Sequence, residues 1–226
     1  MLVAIDTSTD IASLALVKDG VTLAELTWRS GQNHSTQLLP NLAYLLKLVG
    51  LDTSALTGII VAKGPGSFNG LRVGISAAKG LAFSLNIPIV GVSSLEVEAY
   101  EYSVTGLPVC PIFNAGRNEI ATALYQKQTA GWKQLRGENI TTVEQLCVEI
   151  KEKTLFCGEY LTAISSQLVS WLAEKAVIVS PTTDLRRGSY LAELGMLKIT
   201  AGEIDNVATL QPIYLRRPSI TVAKKR

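Results

Sequence analysis

The chain of 226 residues holds one histidine, three cysteines, six aspartates and only 6% aromatics, and each scarcity closes off a class of chemistry. A metal centre needs several converging donors, which His34 alone does not supply. A hydrolytic triad would have to bring His34 to Ser67 or another serine with an acid. No Gly-x-Ser-x-Gly elbow follows a strand, and Gly64-Pro65-Gly66-Ser67 is not that motif. Asp6 sits in a suitable loop for phosphate chemistry. Asp10 and Asp19 lie near the first hairpin, Asp52 precedes a short polar stretch, and Asp184 and Asp205 fall in loops of the second half, so no acid pair for phosphotransfer assembles. Cys110, Cys147 and Cys157 show no close pairing and sit in apolar stretches, which predicts buried thiols, a reducing compartment and so the cytoplasm. Asp6 interrupts any signal-peptide core, and no uncharged run is apolar enough over about 18 residues to span a bilayer, so neither export nor a membrane anchor is expected. The net charge is only +2, and Arg216, Arg217, Lys224, Lys225 and Arg226 put five positives into the last 11 residues without an acid. Removing those five from +2 leaves −3 for the rest, unlike a protein built around a nucleic-acid groove. The basic tail reads as a solvated end or a contact for RNA or a partner.

What is present is a core. Hydrophobic residues make up 47% and charged residues 18%, enough for globular folding in two compact halves. Strands are predicted at 2–5, 11–17 and 21–28, the last two joined by Lys18-Asp19-Gly20 turn chemistry. Leu38, Leu39, Leu42, Leu45, Leu46 and Val49 carry the period of an amphipathic helix over 35–49, ended by Gly50. A strand at 58–62, a helix at 71–86, a strand at 87–92 and a helix capped by Ser93 with Glu96 complete the first half. After Thr105 the order begins again: strands at 109–113, 119–127 and 132–140, a helix capped by Thr141 and Glu144, a strand at 154–157, a helix at 160–173, a strand at 176–179 and a helix at 189–200. Each half reads βββαβαβα, which predicts a duplicated α/β fold with lobes 1–104 and 105–226 and a cleft between them.

Residues Lys63 to Arg72 place Gly64, Gly66 and Gly70 with Pro65 between an apolar strand and a small-residue helix. Glycines there leave amide N–H groups uncovered beside a positive helix end, which suits an anion or a backbone at close range. The plainer reading is a tight turn that lets the helix pack closely. For His34 the plainer reading is a surface or capping residue. For Asp6 it is a carboxylate that organises its own turn.

Two βββαβαβα lobes with a polar turn after the first strand resemble the actin, sugar kinase and Hsp70 superfamily, and Asp6-Thr7-Ser8-Thr9 is similar to its first phosphate loop. Ile5 to Thr9, His34-Ser35-Thr36-Gln37-Leu38-Leu39-Pro40, Gly64-Pro65-Gly66-Ser67-Phe68-Asn69-Gly70-Leu71-Arg72-Val73-Gly74 and Gly91-Val92-Ser93-Ser94-Leu95-Glu96 resemble the bacterial TsaB (YeaZ) family. Pro212-Ile213-Tyr214-Leu215-Arg216 is similar to its closing motif. The resemblance implies a part in threonylcarbamoylation of adenosine in tRNAs reading codons that begin with A. It implies a TsaD subunit as catalyst and heterodimer partner, a TsaE ATPase joining the complex, and homodimerisation when alone. It also implies no reactive group of this chain's own, since the transfer subunit holds its metal through two histidines on one helix. The chain would need no cofactor, with ATP or ADP at the complex interface, and would meet tRNA only through the complex. Asp6, Thr7, Ser8, Thr9, Gly64, Gly66 and Ser67 are the corresponding phosphate-loop positions. Asn69 stands where the family carries threonine, and Asn114 where many members carry aspartate, which removes a charge from the second lobe.

In such a family the two N-terminal helices form the pairing surface. Leu38, Leu42, Leu45, Gly74 and Ala78 are the expected face, with Arg72 at its rim, while part of the leucine stripe must cover the chain's own sheet. Two other readings stay open. One is a phosphotransferase in which Asp6 to Thr9 and Gly64 to Ser67 grip ATP, and the other is a homodimeric binding module.

Overall fold

The structure, a computed structural model, describes residues 1–180 and 185–216, so Asp184 and the tail residues Arg217, Lys224, Lys225 and Arg226 lie outside the described residues. The chain opens with β1 (Leu2–Asp6), β2 (Ile11–Lys18) and β3 (Val21–Arg29), three strands joined antiparallel in hairpin order. Their apolar and β-branched residues suit a pleated surface with both faces covered, and β2 is buried along nearly its whole length. The helix α1 (His34–Leu48) follows, then β4 (Gly58–Ala62), α2 (Phe68–Leu85), β5 (Ile89–Val92) and α3 (Ser94–Tyr100). The second half supplies β6 (Val109–Gly116), β7 (Glu119–Gln128), β8 (Gly131–Thr141), α4 (Val143–Glu149), β9 (Thr154–Cys157), α5 (Leu161–Leu172), β10 (Ala176–Ile178) and α6 (Gly188–Thr200).

The first sheet has the order β3-β2-β1-β4-β5 and the second β10-β9-β6-β7-β8, the same arrangement read from the opposite edge. In each, the hairpin strands pair antiparallel and the strands reached through helices pair parallel. This is the duplicated α/β fold of the actin, sugar kinase and Hsp70 superfamily. Predicted and observed elements agree in kind and order. α2 begins at Phe68, earlier than its periodicity suggested, because the Ser67 side chain caps it by accepting from the Gly70 N–H. Thr142, not Thr141, caps α4.

α1 and α2 cover one face of the first sheet, with Leu38, Leu42, Leu45, Ile75 and Ala78 packed on Val3, Ile5, Leu14 and Val61. The helices that close each half are exchanged. α3 lies on β6 and β7 of the second sheet, while α6 returns to the first sheet and lies across β1, β2, β4 and β5. Two glycines make the return possible. A β-carbon on Gly195 would overlap the Ile60 side chain, and one on Gly188 would press the β2 backbone at Leu14 and Ala15. Among the described residues no helix is long and apolar enough to cross a membrane, and Cys110, Cys147 and Cys157 are buried and joined in no disulfide.

A final segment without regular structure straps the two halves together. Asp205 accepts from the Gly91 N–H at 2.8 Å, the Lys79 ammonium donates to the Ala208 and Leu210 carbonyls, and the Ile213 N–H donates to Lys63 at 2.7 Å. The strap then crosses to the second sheet, where Arg216 pairs with Glu119 and donates to the Ala115 carbonyl.

Candidate functional site

The turn after β1 and the glycine loop before α2 meet at the base of the cleft, as their sequences suggested, but they meet each other face to face. The Thr7 hydroxyl donates to the Gly70 carbonyl at 2.7 Å, and the Ser67 N–H donates to the Ser8 carbonyl at 2.6 Å. A β-carbon on Gly66 would overlap the Ser8 carbonyl, one on Gly70 the Thr7 carbonyl, and one on Gly74 the Thr7 hydroxyl. The loop is glycine-rich because another stretch of this chain's own backbone lies against it. Three of its amides are spent internally: Gly64 donates to Ser94 Oγ, Ser67 to Ser8 and Gly70 to Ser67 Oγ.

Asp6 is 1% exposed, and Ser8 holds one of its oxygens through both N–H and hydroxyl, at 2.8 and 2.7 Å. The other oxygen accepts from Arg186 Nε at 2.5 Å. Arg186, 3% exposed, extends its remaining nitrogens to Glu98 at 3.2 Å and to Thr9 Oγ1 at 2.8 Å, with its guanidinium over the Phe113 ring. These bonds and the carboxylates of Asp6, Glu98 and Glu159 outweigh burial and push the guanidinium's pKa above its ordinary value. Three parts of the chain thus close on one cation that sequence reasoning had not singled out. The only signal was an arginine pair in a loop beside Gly188. Phosphate-loop chemistry needs the first carboxylate turned toward a ligand. Here it faces a guanidinium.

The remaining aspartates are dispersed. Asp52 caps a short turn through Ser54, Asp205 anchors the strap, Asp19 occupies the β2–β3 turn with φ of 51°, and Asp10 is exposed at the cleft mouth. Asn114 accepts from the Gly116 N–H at 2.8 Å, a turn-forming bond that an aspartate would make equally well. Above the closed base lies a largely apolar cavity of about 310 Å³ between Phe68, Phe113, Ile140 and the strap residues Ile213 to Arg216.

The expected partner face needs correction. Leu38, Leu42 and Leu45 are 1–2% exposed, Ala78 is 0% exposed, and Gly74 is buried against Thr7. All five face the chain's own interior, because the widest apolar stripe is the one a helix spends on its own sheet. The exposed apolar side chains of the pair are instead Leu39, Tyr44 and Leu48 on α1 and Phe83 on α2, with Gly80 also exposed. Phe83 is 81% exposed. Arg72 is exposed as expected, stacked on Phe68 and donating to the Tyr214 hydroxyl at 3.3 Å. His34 is not a surface residue, being 4% exposed.

Comparison with known proteins fits this geometry. The family model described as TsaD, tRNA N6-adenosine threonylcarbamoyltransferase, matches residues 28–209. The Bacillus subtilis tRNA threonylcarbamoyladenosine biosynthesis protein TsaB is 34% identical over 95% of this chain and 93% of its own. The Escherichia coli protein of the same name is 30% identical over 95% and 94%. Among solved structures, YeaZ from Pseudomonas aeruginosa superposes with a TM-score of 0.81 at 28% identity, covering 95% of this chain and 99% of that one. A second Pseudomonas aeruginosa structure, described as similar to peptidase YeaZ, gives 0.83 at 27% over the same shares. A chain this similar over nearly its full length, with this duplicated fold, belongs to the TsaB family.

Proposed function

We propose that this chain is a non-catalytic subunit of tRNA threonylcarbamoyladenosine biosynthesis. It pairs through the outer face of α1 and α2 with a TsaD subunit and stabilises that subunit's productive conformation. TsaD carries out the transfer to adenosine 37 of tRNAs reading A-starting codons, TsaE joins the assembly, and tRNA meets this chain only there. The observation that carries the reading is the Asp6–Arg186–Glu98 cluster. A cleft whose first carboxylate is bound to a buried arginine is built to stay shut, which argues against the phosphotransferase alternative. The face left to act is the outer one, where Leu39 and Leu48 of α1 and Phe83 of α2 are exposed and Gly80 has open space around it. To activate a partner, this face must bind the competent conformer more tightly than the alternative. In the absence of TsaD the same face supports a homodimer. The chain requires no cofactor, and ATP or ADP belongs at the interface of the complex.

The test is reconstitution. Threonylcarbamoyl transfer by TsaD should depend on adding this chain, and co-elution should be lost in Phe83→Glu. Transfer at full rate without the chain would contradict the proposal.

A further inference from the structure

We infer that the charged cavity between α3, β8 and the end of α6 binds a small zwitterion of the amino-acid type, its ammonium facing Glu96 and Glu138 and its carboxylate facing Lys63 and Lys198. The cavity measures about 370 Å³, within the usual span of small-molecule sites, ~300–1,000 Å³, and shares only Ile213 of the strap with the apolar cavity described above. It plays no part in the proposed pairing.

Buried polar groups line it. Ser93 is 8% exposed and its hydroxyl donates to Glu138, while Tyr125 is 2% exposed and its hydroxyl accepts from Gln134 at 3.2 Å. Two lysines and two glutamates share this space without pairing to one another. Among the described residues, Lys198 pairs with Glu203 at 3.4 Å, and neither the Lys63 ammonium nor the Glu96 carboxylate has an ion pair or a hydrogen bond. Neither charged end is sealed from solvent. The Lys63 stem is seated against Gly91, where a β-carbon would stand 2.7 Å from Lys63 Cδ, and Glu138 is fixed by Ser93. Charges placed in advance spare a ligand part of the cost of ordering side chains.

This balance selects the ligand. A simple anion meets two carboxylates and a simple cation two ammonium groups, while an uncharged molecule leaves Lys63 and Glu96 unanswered. A molecule of both signs satisfies both through charge-assisted hydrogen bonds. The Tyr125 hydroxyl and the Gln134 amide beside them suit a polar side chain on it.

Burial raises the carboxyls of Glu96 and Glu138 above their ordinary 4.5, against the pull of Lys63 on both and of Lys198 on Glu96. Glu203 adds to the rise at Glu96, and burial pushes the Tyr125 phenol up, so it stays protonated. As pH falls the two glutamates take up protons and lose their attraction for an ammonium. Affinity therefore declines with pH.

The full chain should be titrated by calorimetry with L-glutamine, whose side-chain amide matches the polar wall, and with acetate and ethylammonium as carriers of one sign each, all at constant ionic strength. L-Glutamine should bind saturably and both controls at least about tenfold more weakly. Lys63→Met, which keeps the stem over Gly91, and Glu96→Gln should each weaken L-glutamine by about tenfold, the worth of one charge-assisted bond. Affinity should also be several-fold lower at about pH 5 than at about pH 7.5. Heat that never saturates, a control that binds as well as L-glutamine, or affinity unchanged in both variants with native circular dichroism overturns the inference. So does affinity that rises as pH falls, a readout that needs no variant. None of these measurements involves a partner protein.

Discussion

Arg186 bonds Asp6, Glu98 and Thr9 from a site less than one-twentieth exposed, so its replacement strands two carboxylates in the interior. Arg186→Met should cost about 3–5 kcal/mol in urea unfolding, and adding Asp6→Asn should return part of that loss by removing the unpaired charge. The glycines give a second contrast. Gly66→Ala drives a methyl into the Ser8 carbonyl and should lower the unfolding midpoint sharply. Gly80→Ala, on an open helix surface with nothing within 4 Å, should raise stability by about 0.5–1 kcal/mol. At this scale the sequence revealed the loops and only part of their meaning. Asp6 and the glycines stood out by type and spacing. Their partners did not, because Arg186 reaches Asp6 across 180 positions and leaves no local pattern. His34 was legible as a helix start but not as buried, since Gly70, which admits its ring, belongs to another element.

Among the elements, α1 and α2 divide their residues between two faces, and substitutions should divide likewise. Leu42→Arg or Ala78→Arg puts a charge into the core and should prevent folding, so neither can report on pairing. Leu39→Arg and Phe83→Glu lie outside and should shift stability by no more than about 0.5 kcal/mol while abolishing co-elution with TsaD. The periodicity that located α1 already implied this division, because the residues that create an amphipathic stripe are those the helix buries. A different pairing joins α3 to β8, where the Ser93 hydroxyl bonds Glu138 beside Glu96, Lys63 and Lys198. Burial raises both Glu96 and Glu138 above their ordinary 4.5, with the lysines pulling the other way. The folded chain therefore holds protons that the unfolded chain releases, and this contribution to stability falls as pH rises from about 4.5 through the raised values. Unfolding midpoints at about pH 5 and about pH 7.5 should diverge less in Glu138→Gln than in the parent, since that side chain no longer titrates.

For the molecule as a whole, repetition of element order was enough to read a duplicated fold. The exchange of closing helices was not readable, because α6 has the same local pattern whichever sheet it covers. Gly188 and Gly195, two turns apart, were the available hint that one helix face must approach a sheet closely. The strap ending in Arg216 was visible as a motif but not as a brace between the halves, a role set by contacts to Lys63, Ala115 and Glu119. On the proposed function, a body whose first cleft carboxylate is tied to Arg186 acts through its outer helix face. Reconstituted threonylcarbamoyl transfer with two folded variants tests that most directly, one altered in the cleft as Asp6→Asn with Arg186→Met, the other on the outer face as Leu39→Arg with Phe83→Glu. The cleft variant should support transfer near the parent rate and the outer-face variant should not. Transfer lost in the first and kept in the second would contradict the account.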